Sequence, residues 1–278
     1  VRIEHIEKIY NVMSNKGLAK GTIKIVAAIL SGMFKQAVKV GMLKENVVAL
    51  STLSNGKERK EKVVLSMEQQ KAFLEYAKEH SPFYELYQLA LCTGMRNGEV
   101  RGLTWADVDF EKKEVHVTGT IKYIKSRGHY RDTPKTKTSR RTIPMLGVCC
   151  DMLIRQREKQ EETKALVGAL WKPLEGLEDL VFTTNEGKPV TRDRVTADLK
   201  RCIENMKEEG IDIPVFTFHT LRHTFATRGL ECGIELKSMQ CILGHATFSM
   251  TADLYSHVLP DTKVKEMEKM EKIFEKEA

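Results

Sequence analysis

Apolar residues recur at helical spacing from the start of the chain. Ile3, Ile6, Ile9, Tyr10 and Met13 mark a helix over 3–15. Ile25, Val26, Ile29, Met33, Phe34 and Ala37 form a stripe on a second helix, with Thr22 as its expected cap and Gly41 as its stop. The stretch 51–62, STLSNGKERKEK, then loses every apolar anchor after Leu53 and reads as a linker. Ser66 opens a capping-box-like S-M-E-Q ahead of a helix to about Lys78, and a further helix from Pro82 to Cys92 runs into the Thr93-Gly94 turn.

From Val115 the period changes. VHVTGTIKYI and RRTIPM, separated by a polar basic stretch, predict strands of a small antiparallel sheet. Helical periodicity then returns over 148–164, 191–209, 220–231, 235–243 and 262–275, with a short VFTT strand at 181–184. The pattern predicts a mainly α fold with a small antiparallel β-sheet, an α+β arrangement. Residues 1–55 form a helical domain, 56–63 the linker, and 64–278 a larger domain ending in the helix 262–275.

Composition narrows the class. Of 278 residues, 41% are hydrophobic and 30% charged, which supplies a core and excludes wholesale disorder. No apolar run approaches the roughly 18 residues of a membrane span. Six cysteines without a C-x-x-C pair argue for reduced thiols and against a secreted disulfide scaffold. The chain starts at Val1 without a methionine, so a processed or truncated product is expected.

The net charge is +7, and residues 1–63 alone carry 12 Lys/Arg against 5 Asp/Glu, so the remainder is balanced. Within that remainder, 121–141 holds eight basic residues against Asp132 alone. Lys122, Lys125, Arg127, Arg131, Lys137, Arg140 and Arg141 there, with Lys20 and Lys24 near the N-terminus, are candidate phosphate contacts on a polyanion. A solvated charged face would have the same composition.

Three words carry candidate chemistry. In TGMRNGEV a glycine turn delivers Arg96 at the mouth of a new helix, with Glu99 three residues on. A guanidinium can hold two phosphate oxygens, and a nearby carboxylate can fix its rotamer. Taken alone, Arg96 also fits a surface arginine after a turn. In FHTLRHTFAT, His219 and Arg222 share one helix face near its N-terminus, where the dipole already favours an anion. His219 and His223, four apart, raise zinc, but the glutamate of a metalloprotease motif and a third ligand are missing. In LGHATFSMTADLYSH a Gly-His pair, Gly244-His245, is followed ten residues later by Tyr255, which on its own would fit a core tyrosine.

In this order the three words resemble the tyrosine recombinase (phage integrase) family, closest to integrases of temperate phages and conjugative transposons. The similarity covers essentially all of 64–278, and the region before it resembles part of that family's core-DNA-binding domain. The resemblance implies a helical core-DNA-binding domain, N-terminally truncated, and a catalytic domain that together form a C-shaped clamp on DNA.

The resemblance also implies a site. Arg96 and Arg222 match the two catalytic arginines, His219 the histidine of His-x-x-Arg, His245 the histidine after glycine, and Tyr255 the nucleophile. Glu99 matches the acidic residue that supports the first arginine. Lys135, in Pro-Lys-Thr, matches the catalytic lysine of a β-hairpin, with Lys137 on the same face as the alternative.

The implied reaction is site-specific recombination through a 3′-phosphotyrosyl link, for integration or excision of a mobile element, with no metal and no ATP as cofactor. Implied partners are a double-stranded attachment site, a homo-tetramer assembled on DNA and an accessory directionality factor, all in a prokaryotic cytoplasm and away from any membrane. A type IB topoisomerase-like activity and a catalytically inactive DNA-binding protein remain the alternatives. The apolar side of helix 262–275 is expected to dock on its own domain or on a neighbouring protomer.

Overall fold

The computed structural model describes residues 1–53, 63–133, 140–245 and 247–248. The expected catalytic lysines Lys135 and Lys137, the nucleophile Tyr255 and the helix 262–275 lie outside the described residues. The chain divides into two compact units, Val1–Lys62 and Val63–Ala278.

The first unit consists of α1 (Ile3–Asn15), α2 (Lys20–Lys39) and the short α3 (Val47–Leu50). Its core is Ile6, Tyr10, Ile23 and Val48, with Ala27, Leu30 and Phe34 packed against them. Asn46 caps α3 by accepting from the Val48 N–H at 3.1 Å, and its amide donates to Ser31 Oγ at 3.0 Å.

Two features of α2 differ from expectation. It begins two residues before Thr22, with Ala19 as its cap, because the Ala19 carbonyl already accepts from Thr22 and Ile23. Part of the expected stripe also faces outward: Ile25, Ile29 and Met33 are exposed, and the 3.6-residue period turns Ile23, Ala27, Leu30 and Phe34 inward instead. With apolar residues on several faces, α2 is 20 residues long with a mean hydropathy of 1.2, which by length and composition alone reaches the range of a membrane span. Its inward face nonetheless serves as core of this unit.

The second unit opens with α4 (Met67–His80), capped by Ser66, whose Oγ accepts from the Gln69 N–H at 3.1 Å while Gln69 Oε1 accepts from the Ser66 N–H at 3.1 Å. Next comes α5 (Tyr84–Thr93), buried on almost every side and ended by Gly94 in the left-handed region, φ 63°. The short α6 (Asn97–Arg101) follows at once. After the strands come α7 (Gly147–Val167), α8 (Arg192–Glu208), α9 (Phe218–Glu231) and α10 (Leu236–Leu243). Phe73 on α4 sits 5.4 Å from the Tyr87 ring and edge-on to Phe216 at 5.2 Å, at the centre of one large core.

The fold is mainly helical with little antiparallel sheet, as the periodicity predicts, but among the described residues the strands form two sheets. β2 (Glu114–Val117) lies between β1 (Val108–Asp109) and β5 (Arg141–Pro144), with Val115 opposite Ile143. β3 (Thr120–Ile124) pairs separately with β4 (Gly128–Asp132), with Lys122 opposite Tyr130. The run VHVTGTIKYI is thus two strands broken at Thr118-Gly119, and a fourth strand lies inside the basic stretch. The VFTT segment contributes an isolated bridge, Thr183 to Pro189, instead of a strand.

The β3–β4 hairpin is anchored by chemistry absent from its own pattern. Arg131 donates Nε to the Gly102 carbonyl at 2.8 Å, and Nη2 to Asp107 Oδ2 at 2.5 Å and to Thr118 Oγ1 at 2.6 Å. A Cβ at Gly102 would lie 2.6 Å from the Ile121 nitrogen, so only glycine lets α6 approach β3 this closely.

Candidate active site

The site is built on the turn between α5 and α6. Gly94 reverses the chain so that Arg96 becomes the N-cap of α6. Glu99, one turn on, reaches back to accept from the Arg96 N–H at 2.8 Å and from Arg96 Nη1 at 2.8 Å. One carboxylate therefore closes the helix start and holds the guanidinium of the same residue. Arg96 also donates Nη2 to the Gly244 carbonyl at 3.3 Å, and its side chain remains 37% exposed.

Glu99 is buried and meets a second arginine. Arg141, on β5, donates Nη2 to Glu99 Oε2 at 2.8 Å and Nη1 to Oε1 at 3.2 Å. Burial alone would raise the Glu99 carboxyl, but the hydrogen bond and charge of Arg141, joined by Arg96, outweigh it and hold the group down at about 2.

Arg222, in the first turns of α9, is 2% exposed. It donates Nη1 to the Gly94 carbonyl at 2.7 Å and Nη2 to the Leu243 carbonyl at 2.6 Å. Burial first, and then the Arg96 and Arg141 charges, bring its guanidinium down to about 9, still cationic at neutral pH. His245 follows the α10 C-cap Gly244 and is 8% exposed. Burial, followed by the Arg222, Arg96, Arg141 and His219 charges, lowers its ring to about 4, so it is neutral at pH 7 and can donate one N–H.

His219, one position into α9, is exposed, with its ring edge-on to His223 at 4.4 Å between centroids. Among the described residues no group of three His, Cys, Asp or Glu side chains could hold a metal ion.

His219 and Arg96 open onto a groove of about 1220 Å³. Its walls come from β3 and β4 (Lys122, Tyr123, His129 and Tyr130) and from the start of α8 (Thr191, Arg192 and Thr196). With Arg96, Lys122 and Arg192 among its lining, the groove is open and partly basic, which suits a phosphodiester.

The candidate phosphate contacts separate into outward and inward residues. Lys20, Lys24, Lys125, Arg127 and Arg140 are exposed, with Arg127 lying over the Tyr130 ring at 4.2 Å. Lys122 borders the groove while pairing with Asp132 at 2.5 Å. Arg131 and Arg141 turn inward: the Arg131 pair with Asp107 is mostly buried, and the Arg141 side chain is 4% exposed. Being basic in a basic run says nothing of direction, and these two are corrected from surface contacts to internal ones. The groove also takes in Arg192 and Thr196 at the start of α8, a helix that the periodicity predicts without singling out these residues; Thr191 caps it by accepting from the Arg194 N–H at 3.2 Å.

Residues 63–261 match the phage integrase family, and the chain belongs to that family, the tyrosine recombinases. It is accordingly an enzyme of DNA strand cleavage and rejoining. It is 33% identical to a XerC-like tyrosine recombinase of Caldanaerobacter subterraneus subsp. tengcongensis, over 97% of this chain and 70% of that protein. It is 28% identical to the transposase from transposon Tn916 of Enterococcus faecalis, covering 94% of this chain and 64% of that one. Among solved structures, the Tn1549 transposon integrase in complex with a circular intermediate DNA superposes with a TM-score of 0.84 at 26% identity, covering 97% of this chain and 85% of that one.

Proposed function

We propose that this chain is the integrase of a mobile element, acting on double-stranded attachment-site DNA inside a prokaryotic cell. The observation that carries the reading is the convergence of Arg96, Arg222 and His245 at the end of α10, with Arg96 and His219 both lining the groove. The transposase and integrase relatives favour strand exchange over topoisomerase-like relaxation.

Tyr255 is the nucleophile. Its phenolic oxygen attacks the scissile phosphorus, the bond to the 5′ oxygen breaks, and the strand is retained as a 3′-phosphotyrosyl ester. Charge grows on the non-bridging oxygens, where Arg96 and Arg222 supply preorganised cations. Neutral His245 donates a hydrogen bond to the same phosphate. Lys135, or Lys137 beside it, protonates the departing 5′ oxygen, and His219 handles the proton near the nucleophile. Each role is filled by a side chain, so neither metal nor ATP is called for. Reversal by a hydroxyl from another duplex completes exchange, which requires a homo-tetramer on DNA and takes its direction from an accessory factor.

The test is strand transfer between two labelled attachment-site duplexes. Recombinant joints that persist in EDTA support the reading. Relaxation of a supercoil without any joint would favour the topoisomerase-like alternative.

A further inference from the structure

The three backbone carbonyls before His245 each accept from a different arginine. Arg141 Nε donates to Ile242 at 2.5 Å, Arg222 Nη2 to Leu243 at 2.6 Å and Arg96 Nη2 to Gly244 at 3.3 Å. A helix end leaves such carbonyls without partners in the helix and carries partial negative charge, so cations settle there. Arg96 and Arg222 already have roles in the proposed reaction; Arg141 has none.

Arg141 reaches this point from β5 and also donates to both oxygens of Glu99, at 2.8 and 3.2 Å. Glu99 in turn holds Arg96 at 2.8 Å. One rigid guanidinium therefore touches both the carboxylate that orients Arg96 and the backbone that leads into His245. Its side chain is 4% exposed, with donors committed to the Ile242 carbonyl and to both Glu99 oxygens.

We propose that Arg141 is a positioning residue of the cleavage step, locking Glu99 to the end of α10 so that Arg96 and His245 address the scissile phosphate in a single arrangement. This rests on the recombinase reading and deepens it. The task calls for the planar fork: a lysine keeps the charge but cannot serve both Glu99 oxygens and the Ile242 carbonyl with fixed geometry.

The experiment compares wild type with Arg141→Lys and Arg141→Ala on a nicked attachment-site duplex. It reads single-turnover adduct formation at saturating protein, together with DNA affinity across a salt series and thermal melting. Arg141→Lys is expected to melt cooperatively, bind DNA within about threefold of wild type, and form adduct at least tenfold more slowly, since small misplacements cost up to about a hundredfold. Because Arg141 acts through Glu99, combining Arg141→Lys with Glu99→Gln should slow cleavage little beyond the slower single variant.

A wild-type rate in Arg141→Lys overturns the proposal. So does weakened affinity with a shallower salt slope and an unchanged rate, which would mark a phosphate contact. If Arg141→Ala does not fold, the lysine variant decides; if neither folds, Arg141 is a folding residue and the positioning role is lost. Wild type bound to DNA without any adduct would instead sink the recombinase reading, and the proposal with it.

Discussion

The Arg222 guanidinium donates to the Gly94 carbonyl at 2.7 Å, tying the middle of one sequence word to the turn of another 128 residues away. This bond fixes the spacing between Arg222 and Arg96, since Gly94 is the residue that turns the chain into the α6 cap. Gly94 has φ 63°, and a Cβ there would lie 2.4 Å from Phe225 Cδ1 and 2.9 Å from Leu243 Cδ2.

Gly94→Ala is therefore expected to suffer twice. The left-handed conformation alone costs about 1–2 kcal/mol for a residue with a side chain, and the Phe225 ring must also move. Denaturant unfolding should show a loss of at least that size, with slower adduct formation, because the carbonyl that orients Arg222 shifts. Unchanged stability would mean that the turn relaxes freely.

Arg96→Ala and Arg222→Ala should each slow cleavage by roughly a hundredfold or more, the scale of losing one donor to a developing oxyanion. Single-turnover rates at saturating protein give the answer. A variant with the wild-type rate removes that arginine from the reaction.

Acid should destabilise the second unit through His245. Its ring is held at about 4 against an ordinary 6.5, so the unfolded chain binds the proton more readily. The contribution is present above about pH 6.5 and is lost as pH falls from there towards 4. Glu99, held at about 2, adds a loss of the same sign only at lower pH, below its ordinary 4.5. Melting temperatures taken between pH 7 and 4 should fall in wild type and fall less in His245→Asn. Parallel curves would show that His245 does not contribute to the acid loss.

Arg131→Ala distinguishes an anchor from a phosphate contact. An anchor predicts a stability loss of about 1–3 kcal/mol, the cost of stranding the buried Asp107 carboxylate. A phosphate contact predicts unchanged stability and a salt slope shallower by about one. Urea unfolding and a salt titration of DNA affinity, run on the same variant, separate the two.

The local frame around the candidate site is legible because its signals are local, whereas the roles of its residues follow from the family resemblance. The Ser66 capping box, the Gly94 turn and the three-residue step from His219 to Arg222 each act within one turn of chain, so spacing alone predicts them. What escaped depends on partners far away in sequence. Arg131 and Arg141 look like their basic neighbours until Asp107 and Glu99 are brought against them by folding. β4 was hidden because Gly128–Asp132 (GHYRD) lacks apolar alternation; its pairing with β3 and the Arg131 anchor hold it in place. The outward side of α2 was misjudged for the opposite reason: apolar residues on several faces leave the buried one undecided until α1 and α3 pack against it.

The most direct test of cleavage by Tyr255 is covalent capture on a nicked attachment-site duplex, with the modified peptide located by mass spectrometry. Wild type is expected to form a protein–DNA adduct through a 3′ phosphate on Tyr255, in EDTA, and Tyr255→Phe none at nearly unchanged DNA affinity. An adduct that persists in the phenylalanine variant, carried by another tyrosine such as Tyr123 or Tyr130, would contradict cleavage by Tyr255, as would DNA-bound wild type that forms no adduct at all.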